Sequence, residues 1–481
     1  MMRITSSTFT YLLTGILFVI AMSLALFSES TFGNGDSVGH YLMAKYAWKH
    51  PYLFFDHWGK PVFTMLSSPF AQLGFNGIKV FNVLVTFMAA WLTYRYVQSI
   101  HIKYAVWVIP IYFCAPDGIG VMLSGLTEPL FALLLIVALL WVHHQRFIPA
   151  TIIFSFLPMS RTEGIIVLGV YTVYLFLNKK YVLLPLVLSG QMVIAFLGYW
   201  VYHDVLWVFN KIPYITNESH YWSGPLMHYI VAMPHVFGLF ASVLLYTGCL
   251  VYVYSFFKNW IAQRTWLPAA DFRFIIYWGF IAFIVTHSVF YYLGIMNDVG
   301  LTRVSVAMFP AMVFISIEAL IFIHQFLCKY FNAYKVVIAG SITLVAGMVF
   351  FCYAGSMYRI RYQSLLQLDA GQKLIKHEVL PYVQQKYPQH RLYFSDMSVA
   401  LFGEIDIYEN SPYDHLILKK RPDFKLDKDE LIIWDHWFSV VEERIDKSIL
   451  LGSKNIKLEK EFNSLNARGE PIEAALFSSR D

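Results

Sequence analysis

The sequence predicts a mostly α, polytopic membrane protein of about eleven spanning helices, followed by a small C-terminal α/β domain outside the membrane. Three observations carry this. Of the 481 residues, 58% are hydrophobic and 18% aromatic, and only 14% are charged, against about 25% charged in an ordinary soluble domain. Mean hydropathy is +0.54, so the chain has too little polar surface to cover itself in water. Apolar runs alternate with short loops that hold most of the Lys and Arg, and after about Arg359 the composition turns polar with no further spanning run.

In chain order the apolar runs predict spans near 9–27, 76–97, 104–116, 126–144, 147–158, 163–178, 181–202, 229–257, 273–294, 303–327 and 333–355. Those at 104–116, 147–158 and 163–178 fall short of the ~20 residues that cross a bilayer unaided, so they tilt less, sit where the bilayer thins or continue into flanking residues. The first run is too long for a secretory leader and reads as a retained span. Alternate loops carry Arg3; Arg95 and Lys103; Arg146; Lys179 and Lys180; Lys258, Arg264 and Arg273; Lys329 and Lys335. The intervening short loops carry only Arg161, Lys211 and Arg303. This bias predicts a cytoplasmic N-terminus, with the long first loop and the C-terminal domain on the external side. The organisation expected is a membrane domain over 1–358, its first outer loop at 28–75, and an external α/β domain over 359–481. Strands are expected at Arg391–Ser395, Glu430–Trp434 and near Ile456–Phe462, separated by amphipathic stretches such as Ala370–Gln385. A net charge of +5 is accounted for by the loop bias and points to no nucleic acid. Cys114, Cys249, Cys328 and Cys352 lie in or beside apolar spans, without metal or disulfide spacing, and read as apolar fillers.

The loop from Phe32 to Gly74 is too long to be a plain connection. Asp36 stands near its start. A carboxylate at a membrane surface can take a proton from a hydroxyl within hydrogen-bond reach; Asp36 or Ser37 can equally cap the helix that follows. Val38, Tyr41, Leu42, Tyr46 and Trp48 have helical spacing over Ser37–Lys49, which suits either a helix lying in the interface or one packed on the spans. Lys60 precedes Pro61, which biases it to an extended backbone; it can pair with a phosphate or simply snorkel. His40, His50, His57 and nearby Asp56 fit no common zinc spacing, so a divalent metal is possible but unsupported. Ser124–Phe131 (SGLTEPLF) and Ser160–Gly164 (SRTEG) each place a glutamate, Glu128 or Glu163, at a span start. Ser160 and Glu163 have capping-box spacing, while Arg161 in the same turn suits an oxyanion. Arg303 ends a short turn after Asp298; it can pair with Asp298 or grip phosphate oxygens in bidentate fashion.

Taken together, these residues resemble the GT-C membrane glycosyltransferases, in particular the lipid A aminoarabinose transferase and protein O-mannosyltransferase types. The likeness lies in order over residues 1–330. It runs through Asp36 in the first outer loop, an amphipathic helix, Lys60-Pro61 before a stretch ending at Gly74, Thr127-Glu128, Arg161–Gly164, and Gly300–Arg303 with Pro310 beyond. The resemblance implies a polyprenyl-phosphate-sugar donor and an inverting transfer to a glycan, lipid or protein acceptor at the outer face of a bacterial inner membrane. It implies Asp36 as the base and Lys60 and Arg303 as phosphate ligands, with Arg161 a further phosphate-binding candidate from its place at a helix start. The chain departs from the pattern at Ser37, where the family has a second acid, and at Val62, where it has a second proline. Glu128, Asp117 or Glu163 could supply a further carboxylate. The C-terminal region resembles external domains of bacterial members, and Leu431–Phe438 (LIIWDHWF) reads as a strand end that packs a core or meets a glycan. A transporter or flippase of lipid-linked saccharides is the rival reading, favoured by broken helices in paired halves; the sequence shows no such internal symmetry.

Overall fold

A computed structural model describes residues 6–32, 34–212, 223–264, 270–332, 365–409, 425–466 and 468–480, with 335, 340–343, 346 and 347. The span expected at 333–355 and the boundary near Arg359 lie largely outside the described residues, as does Cys352.

The helices are α1 (Ser6–Phe27), α2 (Asn34–Tyr46), α3 (Pro61–Ala71), α4 (Phe75–Ile100), α5 (Val108–Phe113), α6 (Pro116–Met122), α7 (Glu128–His143), α8 (Phe147–Ser160) and α9 (Gly164–Leu177). They continue as α10 (Ser189–Tyr202), α11 (Trp207–Asn210), α12 (His228–Phe237), α13 (Leu239–Gln263), α14 (Arg273–Leu293) and α15 (Phe309–Leu327). Among the described residues six segments are long and apolar enough to cross a membrane: α1, α4, 181–202, α13, α14 and 302–327. Three shorter apolar helices, α7, α8 and α9, lie among them.

Two expected spans differ. The run at 104–116 ends at Pro116, whose ring cannot continue a helix, and α5 and α6 meet at 72°. The run at 229–257 is two helices, because Gly238 takes φ +85 between α12 and α13. Glycine tolerates that backbone and a side chain would not. The break turns α12 onto α6, α14 and the turn before α15.

α15 is central, with 72% of its most apolar window buried, whereas α1 has 17% buried and lies at the periphery. α4 packs between α1 and α7, α8 joins α7, α9 and α10, and α13 lies along α15.

The first loop does not lie loose on the surface. Lys79 of α4, fully buried, donates to Ser28 O (2.6 Å), Ser28 Oγ (3.0 Å) and Ser30 O (3.3 Å). That anchor ends α1 and starts the approach to α2. Val38, Tyr41, Leu42, Met43 and Ala44 of α2 are buried in one core with Phe63 of α3 and Leu374, Val379, Leu380 and Val383 of the C-terminal region. α2 is therefore a packed helix rather than one floating in the interface.

The C-terminal region carries a four-stranded sheet of β1 (Arg391–Phe394), β2 (Glu430–Asp435), β3 (Ile456–Leu465) and β4 (Pro471–Ser479), in the order β1-β2-β4-β3. The β1–β2 pair is parallel and the others antiparallel. β2 is buried on both faces, Leu431 and Ile433 towards the shared core and Ile432 and Trp434 towards a second cluster with Leu450 and Phe477. This explains its unbroken apolar run. β4, not expected from the sequence, is a central strand whose alanines and glutamate weaken the usual strand signal. The sheet region is tied to the first loop by His50–Asp406 (2.9 Å), Lys49–Asp406 (3.0 Å) and the pairing of Thr31 with Gln372 (2.8 Å).

Candidate functional site

Five short motifs scattered over the chain converge at one end of the helix bundle. Asp36 lies in the first turn of α2, which starts two residues earlier at Asn34, so neither Asp36 nor Ser37 is the expected cap. Ser37 Oγ instead donates to Thr31 O (2.7 Å) and accepts from the Gly125 amide (2.8 Å). Asn82 of α4 holds the same 124–126 segment through Ser124 O (2.7 Å) and Leu126 O (2.9 Å). The start of α2 is thus pinned to the entry of α7. A Cβ on Gly125 would stand 2.4 Å from Ser37 O. Gly125→Ala is accordingly expected to cost about 1–3 kcal/mol through backbone displacement, read as a lower melting temperature in detergent together with reduced activity.

Arg303 reaches across to Asp36 and bonds its carboxylate through Nη2. Of the two alternatives for Arg303, the Asp298–Arg303 pair does not form: Asp298 is engaged by Tyr229 and His287. Asp36 keeps 45% of its side-chain exposure while Arg303 keeps 18%, so the carboxylate is reachable although protein crowds it closely. Burial works against its charge; the Arg303 guanidinium and, further off, Arg161 outweigh this and hold it below the usual aspartate range.

Behind Arg303 stands Glu128, the first residue of α7, whose side chain is 1% exposed. Arg161 Nη1 meets Glu128 Oε1 at 2.8 Å and donates to Thr127 Oγ1 at 2.9 Å, while Nη2 meets Glu163 Oε1 at 2.7 Å. Arg303 Nε is 3.9 Å from Glu128 Oε1. Glu128 Oε2 and Arg303 Nε have no hydrogen-bond partner among the described residues. The Ser160–Glu163 capping box does not form, because Ser160 Oγ donates back to Leu157 O (2.8 Å) and Glu163 turns to Arg161. Gly164 permits this tight turn, since a Cβ there would lie 2.4 Å from the Leu157 carbonyl carbon. Burial opposes the charge of Glu163, but Arg161, His287 and Lys60 bring it down to about 2.

Lys60 sits just before α3 at φ +61, not the extended backbone expected before proline. The turn is imposed by Asp56 Oδ1, which accepts from the Trp58 (2.7 Å) and Gly59 (3.0 Å) amides, and by Thr64 Oγ1 donating to Gly59 O (2.8 Å). A lysine with positive φ is strained, and here the strain aims Nζ at Thr162 Oγ1, 3.0 Å away, rather than letting it snorkel. Burial lowers its pKa to about 8, despite the attraction of Glu163.

The cluster therefore contains three acids, Asp36, Glu128 and Glu163, and three bases, Lys60, Arg161 and Arg303. Asp117 accepts from Thr302 Oγ1 at 3.2 Å, next to Arg303 in sequence. The three loop histidines do not gather: His40, one turn beyond Asp36 and within electrostatic reach of Lys60, Arg161 and Arg303, stacks on Trp58 (4.6 Å), His57 lies edge-on to Trp207 (5.1 Å), and His50 pairs with Asp406. Among the described residues no three His, Cys, Asp or Glu are grouped to hold a metal ion.

The C-terminal region reaches this end of the bundle. Trp434 is a core residue of β2. Asp435 Oδ1 accepts from the Trp437 (2.9 Å) and Phe438 (2.5 Å) amides, turning the chain so that the Phe438 ring abuts Gly35, beside Asp36. Sequence reasoning did not single out Asn82, Lys79, His287 or Tyr229. Their one signal was a polar group inside an apolar run, which at membrane depth is costly without a purpose.

The fold is one already seen in solved structures. In particular, the chain is similar to the crystal structure of ArnT from Cupriavidus metallidurans bound to undecaprenyl phosphate, with a TM-score of 0.58, 11% identity and 97% of each chain covered. The apo structure of the same protein gives a TM-score of 0.58 and 11% identity over 98% of each chain. No protein-family model and no curated protein sequence matches the chain. At this identity the likeness is one of fold.

Proposed function

We propose that the protein is an integral-membrane glycosyltransferase that moves a sugar from a polyprenyl-phosphate donor to an acceptor hydroxyl at the external face, with inversion. The observation that carries this reading is the Asp36–Arg303 pair, an accessible carboxylate held directly against a cation that a phosphate can recruit. Support comes from Lys60 and Arg161 on the same cluster and from the ArnT fold, one structure of which holds undecaprenyl phosphate.

The mechanism is a single displacement. The donor phosphate, a dianion at most and a monoanion while esterified to sugar, settles among Lys60, Arg161 and Arg303, whose charges stabilise it as the leaving group. Drawing Arg303 to the phosphate loosens its hold on Asp36, whose carboxylate becomes more basic as the neighbouring positive charge is shared. The acceptor oxygen then attacks the anomeric carbon from the face opposite the phosphate, the C–O bond to phosphate breaks, and Asp36 takes the acceptor's proton. Glu128 and Glu163 hold the arginines in place.

The direct test offers the purified protein a panel of radiolabelled polyprenyl-phosphate sugars and follows labelled acceptor and freed lipid phosphate. The absence of both transfer and sugar release with every donor would overturn the reading; movement of intact lipid across vesicles would point to the flippase class instead. Donor binding also has a predicted pH dependence. Lys60 binds phosphate as a cation, and its pKa is already down at about 8. Affinity is full below that value and falls as pH rises through it, by up to about tenfold per unit until the complex itself titrates. Lys60→Met should weaken binding and flatten the profile between pH 7 and 9.

A further inference from the structure

His287 and Asp298 form a second buried acid–imidazole pair that the transfer mechanism above does not use. Asp298 lies in the turn between α14 and the segment carrying Arg303. Its Oδ1 accepts from Tyr229 Oη (2.6 Å) and the Gly300 amide (3.0 Å), and its Oδ2 lies 2.6 Å from His287 Nδ1. An ionised carboxylate only accepts, so Nδ1 carries the proton. Nε2, on the far side of the ring, is then a lone-pair acceptor in the neutral imidazole. It is buried without a hydrogen-bond partner among the described residues, on a residue only 6% exposed. Such atoms are uncommon in folded proteins and call for a partner.

The surroundings say which partner. The ring is walled by Phe283 (4.7 Å) and Tyr229 (5.3 Å), with Tyr291 beyond Tyr229. Glu163 of the ion cluster lies within electrostatic reach of His287. A phosphate monoanion has no proton to give Nε2, and Asp298 and Glu163 repel it. A sugar hydroxyl or amino group has a proton to give. The cations are on the Lys60–Arg161–Arg303 side.

We propose that His287, oriented by Asp298 and Tyr229, is a recognition residue for the sugar moiety of the donor, accepting a hydrogen bond at Nε2 while the three cations take the phosphate. This rests on the glycosyl-transfer reading. It divides the donor site into an anion end and a hydroxyl end, and it assigns the α12–α14 side of the bundle to sugar choice.

The experiment measures binding of undecaprenyl phosphate and of its mannosyl, glucosyl and galactosyl esters to the full-length protein in detergent, so that turnover is not required. Wild type should bind at least one ester more tightly than the bare lipid. His287→Ala should remove that preference, by about tenfold, and leave undecaprenyl phosphate binding unchanged, whereas Arg303→Gln should weaken both. His287→Gln, which can still hydrogen-bond, should restore part of the preference, and a merely structural role would not produce that rescue. If His287→Ala weakens both lipids equally, or leaves the preference intact, the sugar-contact proposal is overturned while the transfer reading stands. If wild type binds neither the bare lipid nor any ester, the transfer reading fails and takes the proposal with it.

Discussion

Asp36→Asn is expected to cut sugar transfer by about 10²- to 10⁴-fold, the range contributed by a positioned general base, with the protein still expressed and folded in membranes. The asparagine keeps the shape and can still accept a hydrogen bond from Arg303, so the ion pair is weakened without an empty space. What is lost is the group that receives the acceptor's proton. Donor binding should not weaken, because the amide no longer competes with phosphate for the guanidinium; KM for the donor is expected to stay level or fall while kcat collapses. Near-normal turnover in this variant would remove Asp36 from the base position. The measurement is initial-rate transfer in membranes, normalised to protein by blotting, with donor affinity determined separately.

The second large effect is on stability. Glu128 is almost fully enclosed and bonds Arg161 directly, with Arg303 Nε 3.9 Å from the same oxygen. Glu128→Ala leaves two guanidinium groups facing one fewer carboxylate in a confined space. Breaking a buried pair on one side costs about 3–5 kcal/mol, because the remaining charge stays desolvated. A large drop in melting temperature, or loss of the folded fraction in detergent, is the expected outcome. Glu128→Gln should lose less, since the amide oxygen can still accept from Arg161. Unchanged stability in both variants would mean that water or lipid already solvates the arginines, and the closed cluster described above would be wrong.

The two effects separate roles within one network. Asp36 is exposed enough to meet a substrate, and its loss is expected to be felt in kcat. Glu128 is sealed behind the arginines, and its loss is felt in folding. Arg303 contacts both, and in the proposed mechanism it is the group through which an entering anion is felt.

Much of this was legible in the chain. The membrane class follows from composition, because a chain with 58% hydrophobic residues cannot hide them all in a water-soluble core. Helix ends were readable within a few residues at α4, α7, α8, α9 and α14, where apolar runs stop at charged or proline-bearing turns. The order of the motifs around Asp36, Lys60, Glu128, Arg161 and Arg303 led to the fold class that the ArnT likeness shows. The break at Gly238 was not legible, because its apolar flanks look continuous until the backbone demands a positive φ. β4 hid for a related reason, since a central strand can be built of small residues when its neighbours fill the space on both faces.

The sequence by itself determined the solvent, the helical class and the set of charged groups placed at the ends of spans, because these depend on side-chain chemistry and local periodicity. Only the tertiary structure decided the pairings: Arg303 with Asp36 instead of Asp298, Asp298 with His287, Glu163 with Arg161 instead of a capping box, and Phe438 against Gly35. For Arg303 the local partner, Asp298, is five residues away and chemically suitable. It loses because helix packing brings a remote partner into the same desolvated space, where a charge must be met by the group that geometry supplies.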